Sequence, residues 1–154
     1  MRSTLQIDPS HVVIGGPVMG GPLWEPALEK LVRRVADSLG TNPECVQAKL
    51  YKLLLYQAGG FFDTHCDTEK KRGMFATLVV QLPSVFEGGE FVVRHGGLDR
   101  TYTLGTKDQL CAQVCHFVEH YADCEHAVRK VTSGYRLALV YSLGWTGIGS
   151  PPTA

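Results

Sequence analysis

Apolar residues recur at helical spacing in one segment near the N-terminus and with a period of two over most of the remaining chain. In "EPALEKLVRRVADSLG", Leu28, Leu31, Val32, Val35 and Leu39 fall three or four residues apart and gather on one face of an amphipathic helix. Pro26 near its start and Gly40 at its end supply boundary signals. The pattern predicts a helix over about residues 25–39 that covers one face of a sheet. From about residue 48 the strand period takes over. Residues 49–57, 75–82, 90–94, 100–104, 110–117, 127–131 and 135–143 read as strands, with turn chemistry between them at Gly59-Gly60, Pro83-Ser84, Gly88-Gly89, Gly96-Gly97, Gly105 and Ser133-Gly134. Short strands at this spacing point to a sandwich or barrel, hence a mainly-β fold with one covering helix.

Length and composition fit that picture. A chain of 154 residues with 44% hydrophobic side chains is most simply one domain with a real core. The expected arrangement is a domain over residues 1–146, its β-core over about 48–145, and a flexible tail over 147–154. Fifteen basic and fifteen acidic side chains give a formal charge of zero. That balance lacks the electrostatic footprint of a protein working on a phosphate backbone, so no nucleic-acid partner is expected. No stretch approaches the roughly 20 apolar residues of a membrane span, and the N-terminus lacks a secretory apolar core with a cleavage site. The expectation is an intracellular protein, with no membrane partner.

Chemistry enters at His65-Cys66-Asp67, followed by His126 and then by Arg136, ten residues further on. Alternation along a strand would send His65 and Asp67 to one side and Cys66 to the other, so two ligands could reach one metal without bending the backbone. Asp63 shares that face as a rival carboxylate. His126 lies 59 residues beyond Asp67, far enough to arrive from another strand. Two imidazoles and one carboxylate leave metal positions open for reactants, where four protein ligands would close the site. In "YRLALVYSL", Arg136 shares one strand face with Ala138, Val140 and Ser142, while Leu137, Leu139 and Tyr141 share the other. An arginine on so apolar a strand is expected to point inward and to meet an anion, because an unpaired buried guanidinium is costly.

Three segments, "YQAGGFFDTHCDTEK", "MFATLVVQLPSVFEGGEFVV" and "CEHAVRKVTSGYRLALVYSL", resemble the prolyl 4-hydroxylase-like branch of the 2-oxoglutarate and Fe(II)-dependent dioxygenases. The resemblance runs from about Tyr51 to Trp145. It implies a double-stranded β-helix, or jelly roll, with His65, Asp67 and His126 as iron ligands and Arg136 as partner of the far carboxylate of 2-oxoglutarate. Tyr56, nine residues before His65, matches a tyrosine that lines the cosubstrate pocket in this branch; a plain core tyrosine is the other reading. The implied activity uses O2, with ascorbate in support, to hydroxylate an unactivated C–H bond and release succinate and CO2. A prolyl residue in a protein or peptide is the first expectation for the substrate. A non-catalytic, metal-binding jelly roll serving as a binding or scaffold module is the alternative.

The remaining features carry less. Five cysteines, an odd number, do not form the framework of a secreted mini-protein. Cys111, Cys115 and Cys124, with His116 and His120, raise a zinc site but lack paired C-x-x-C spacing, so His116 and His120 are read as structural or surface residues. His11 and His95 lie in turn-rich surroundings and carry no signal. "VIGGPVMGGPLW" reads as a glycine-rich loop without the lysine of a phosphate loop, and "EKKRG" as a solvated turn.

Overall fold

In the computed structural model the described residues are 4–14, 23–67 and 73–154. The charged turn over residues 69–73 and the glycine-rich run over 13–24 lie largely outside them. Among the described residues, eleven strands and one α-helix occur in the order β1 (Thr4–Ile7), α1 (Trp24–Ser38), β2 (Val46–Tyr56), β3 (Phe62–His65), β4 (Met74–Gln81), β5 (Phe86–Gly88), β6 (Phe91–His95), β7 (Leu98–Tyr102), β8 (His116–Tyr121), β9 (Glu125–Val128), β10 (Val131–Gly134) and β11 (Arg136–Trp145). A large sheet has the order β1-β2-β11-β4-β8, a small one β3-β9-β6-β7, and β10 pairs with β5. This is the mainly-β, jelly-roll-like arrangement with a single N-terminal helix.

The helix forms where the 3.6-residue pattern falls, and it stops for a local reason. Gly40 takes φ +72°, while the Thr41 and Gly40 N–H groups donate to the Ala36 and Asp37 carbonyls, which satisfies the last turn in a Schellman-type cap. Val32 and Val35 pack on Ala76, Leu78 and Val80 of β4 and on Leu139, Tyr141 and Leu143 of β11. The opposite face of the same strands presents Val79, Ala138 and Val140 to a second core shared with Phe91 of β6 and Val128 of β9. Both faces of β4 are covered, which is why "MFATLVVQ" is buried along its whole length. The inner core is the one that reaches the site.

Four expectations need correction. The strand expected over 110–117 begins only at His116: Gln109 sits at φ +61°, the Asp108 carboxylate accepts from the Leu110 N–H, and Leu110–Ala112 close a 3-10 turn before β8. The local aspartate competes with the sheet for the backbone, a force that alternation cannot register. Ser133-Gly134 is not a turn but the end of β10, paired with Phe86 and Glu87 of β5. The run over 127–131 divides into β9 and β10. Finally, β3 ends at His65, so Asp67 lies just beyond the strand rather than on it.

Candidate metal and cosubstrate site

The small sheet supplies the candidate ligands. His65 on β3 and His126 on β9 are direct cross-strand partners, with ring centroids 4.2 Å apart. Asp67 is steered in by its own backbone, whose N–H donates to the Ala122 carbonyl. The donor atoms of His65, Asp67 and His126 all lie within 4.8 Å of one another, and theirs is the one such group among the described residues. The two imidazole Nε2 atoms stand 3.7 Å and 3.4 Å from Asp67 Oδ1. Cys66 is exposed, its thiol near the Asp123 carbonyl, and the Asp63 side chain is also exposed.

Each ligand is oriented from behind. His65 Nδ1 lies 2.7 Å from the Asp63 carbonyl and His126 Nδ1 lies 3.2 Å from the Cys124 carbonyl. Both Nδ1 atoms therefore carry the proton, and both Nε2 lone pairs turn inward, the tautomer that metal ligation needs. Thr77, on the inner face of β4, donates to Asp67 Oδ2 at 2.6 Å and leaves Oδ1 toward the imidazoles. Burial alone would raise the Asp67 carboxyl, but hydrogen bonding by His126 and Thr77, joined by the charges of His126 and His120, holds it well below the usual carboxylate range. Burial pushes the His65 imidazole down, against the bond to Asp63. Two imidazoles and an ionised carboxylate fit a divalent iron in a facial triad.

The large sheet supplies a cation. Arg136 on β11 is 1% exposed and sits directly opposite Tyr56 of β2, with the guanidinium 5.1 Å from the tyrosine ring. Its Nε donates to Gln81 Oε1 at 3.1 Å, and the Gln81 amide is spent on the Leu104 carbonyl. Its Nη2 is buried without a hydrogen-bond partner. Burial lowers the Arg136 pKa while Tyr56 opposes the shift, and burial raises the Tyr56 phenol. A guanidinium stays charged under such a shift, so this is a fixed cation with one donor unspent. His65, Asp67, His126, Tyr56 and Arg136 line one narrow cavity between the sheets.

Sequence reasoning missed His120. It lies on the inner face of β8 with Val118, is 3% exposed, and lines the same cavity. Burial, then the charge of His126, pushes its imidazole down to about 4. The alternation His116, Val118, His120 was the available signal, since Val118 marks the buried face. Of the zinc candidates, Cys111 and Cys124 are buried and Cys115 exposed, and all five cysteines are free thiols. A wider, open groove adjoins Asp67 from the other side, lined by Phe75, Ala122, Trp145 and the segment from Gly147 to Thr153. Among the described residues no helix is long and apolar enough to cross a membrane.

No family model matches the chain. A PKHD-type hydroxylase of Idiomarina loihiensis is 35% identical to it over 94 residues, 58% of this chain and 38% of that protein, so the chain spans under two fifths of the relative's length. A 2OG-Fe(II) oxygenase family oxidoreductase from Burkholderia pseudomallei aligns over 98% of this chain and 70% of its own, at 22% identity and a TM-score of 0.57. A prolyl-4-hydroxylase of Pseudomonas putida aligns over 94% of this chain and 72% of its own, at 17% identity and a TM-score of 0.58. At these identities the two structural matches show the shared fold.

Proposed function

We infer that this chain is an Fe(II)- and 2-oxoglutarate-dependent dioxygenase, since sequence similarity, fold and donor set all point to the 2OG-Fe(II) oxygenase family in its PKHD-type, prolyl 4-hydroxylase-like branch. The observation that carries the reading is the meeting, in one cavity, of three metal-competent side chains from the small sheet and an unspent buried guanidinium from the large one. Iron(II), when bound with 2-oxoglutarate and O2, would supply an oxidative decarboxylation to succinate and CO2 coupled to hydroxylation of a C–H bond, one oxygen atom passing to succinate and one to the product.

The chain's own residues do the rest. His65, Asp67 and His126 would hold the ion, and with three protein donors it would stay open to reactants. Arg136 pairs with the far carboxylate, and Gln81 and Tyr56 fix the guanidinium so that little freedom is lost when it does. Phe62, Phe91, Val128 and Val140 wall the cavity and limit water.

For the substrate, a prolyl residue in a protein or peptide is supported by the likeness to the prolyl-4-hydroxylase of Pseudomonas putida, and hydroxylation more generally by the likeness to the PKHD-type hydroxylase. The open groove beside Asp67 offers an extended peptide an approach to the metal. The test incubates the chain with Fe(II), ascorbate, 2-oxoglutarate and proline-containing peptides, then measures succinate and the gain of one oxygen in peptide mass. Succinate that needs metal and disappears in His126→Ala is the expected result. Stoichiometric metal binding without succinate under any substrate would replace the enzyme by a metal-binding module.

A further inference from the structure

His120 is a buried polar group to which the proposed reaction gives no task. It projects from β8 of the large sheet, across the cavity from the ligands on the small one. Its Nδ1 lies 2.8 Å from the Tyr121 carbonyl and so carries the proton. The ring therefore turns an Nε2 lone pair inward, 3.9 Å from Asp67 Oδ2, and that nitrogen has no hydrogen-bond partner. A buried acceptor left unsatisfied is unfavourable, and facing a carboxylate makes it more so. A residue that only filled this space, between Phe91 and His126, would serve better as phenylalanine.

The same construction occurs in His65 and His126: Nδ1 spent on a main-chain carbonyl, Nε2 aimed at the Asp67 carboxylate. Three imidazoles thus share one orientation and one target, an arrangement that a bound cation would satisfy. We propose that His120 is a further metal ligand, so that the protein can present three histidines and one aspartate to the ion. His120 stands outside the tight group formed by the other three, and its ring centroid is 4.1 Å from that of His126, so ligation requires the side chain to move toward them. The inference rests on the metal site of the proposed function, but not on 2-oxoglutarate use.

The experiment counts imidazoles on the metal in the full chain loaded with Cu(II), by pulsed electron paramagnetic resonance without cosubstrate. Three are expected in the wild type and two in His120→Phe, whose ring keeps the packing against Phe91. Co(II) affinity, measured by calorimetric titration, is expected to fall about tenfold or more in His120→Phe. His120→Gln repeats both measurements in case the phenylalanine variant does not fold. Two imidazoles in the wild type, with unchanged affinity in either folded variant, would overturn the assignment and leave His120 a core residue. Failure of the site itself looks different: the wild type would take up no ion stoichiometrically, or His126→Ala would keep full affinity, and the inference would fall with it.

Discussion

The reach of Asp67 depends on Thr77. The hydroxyl at 2.6 Å holds Oδ2, so Oδ1 faces His65 and His126 without the carboxylate having to be ordered when the ion binds. Thr77→Val keeps the β-branched shape on β4 and deletes only the donor. Metal affinity is expected to drop about 10–100-fold, with a stability loss of about 1 kcal/mol, read by Co(II) titration and thermal melts. An unchanged affinity would mean that the Ala122 backbone bond suffices to aim the side chain. A second expectation concerns protons. Burial pushes both His65 and His120 below the ordinary histidine value, His120 to about 4. An unfolded histidine titrates near about 6.5, so the unfolded chain takes up protons first as pH falls. The contribution of His120 to metal-free stability is therefore intact above about 6.5 and is lost as pH falls toward about 4. Asp67, also depressed, acts only below the ordinary aspartate range and does not confuse that window. Denaturant melts of the metal-free protein at several pH values should show the decline, and His120→Phe should make it shallower, with His65 still contributing. Parallel declines in both proteins would count against a neutral buried His120.

At the scale of elements, the short pair β5–β10 places Arg136, because β10 ends two residues before it. Gly134 takes φ +74° there, and a Cβ would collide with the Val85 carbonyl oxygen and crowd the Phe86 backbone. Gly134→Ala is expected to cost about 2–4 kcal/mol from backbone strain and lost pairing. It should also weaken binding at Arg136 while leaving Co(II) affinity at the small sheet nearly intact. Full stability in the variant would show that β10 can shift without consequence. The same pair shows what the sequence does and does not make legible. Continuous apolar runs located β4 and β11 closely because both faces of each are buried, and the strand period put Arg136 on the face of Val140. It failed at 110–117, where Asp108 and a left-handed Gln109 divert the backbone, and at Ser133-Gly134, where a residue pair typical of turns is held in a ladder by β5. His65, Asp67 and His126 stand together as their order suggested, yet the expected reason was incomplete. Asp67 leaves the strand and is aimed by Ala122 and Thr77. His120 escaped because its significance lies in an unmet lone pair across the cavity, which spacing along the chain does not encode.

The whole molecule divides its labour by sheet. The metal-competent group comes from β3, β9 and the residue just beyond β3, whereas Arg136, Tyr56, Gln81 and Thr77 come from β11, β2 and β4 of the large sheet. A dicarboxylate bound to both would bridge the sheets, so the two ligands should stabilise different parts of the fold. In hydrogen exchange, Co(II) alone is expected to protect β3 and β9, and 2-oxoglutarate added with it to extend protection to β2 and β11. Arg136→Ala separates the halves. The metal-induced protection should persist, while the second increment disappears and 2-oxoglutarate affinity falls by about 3–5 kcal/mol, the cost of losing one partner of a buried pair. Arg136→Lys should recover part of that loss, since lysine restores charge without the planar fork that Gln81 and Tyr56 orient. Unchanged 2-oxoglutarate binding in a folded, metal-loaded Arg136→Ala protein would remove Arg136 as the anchor. The buried guanidinium would then be a structural tie between β11 and β4, and the keto acid would have to be sought elsewhere in the cavity.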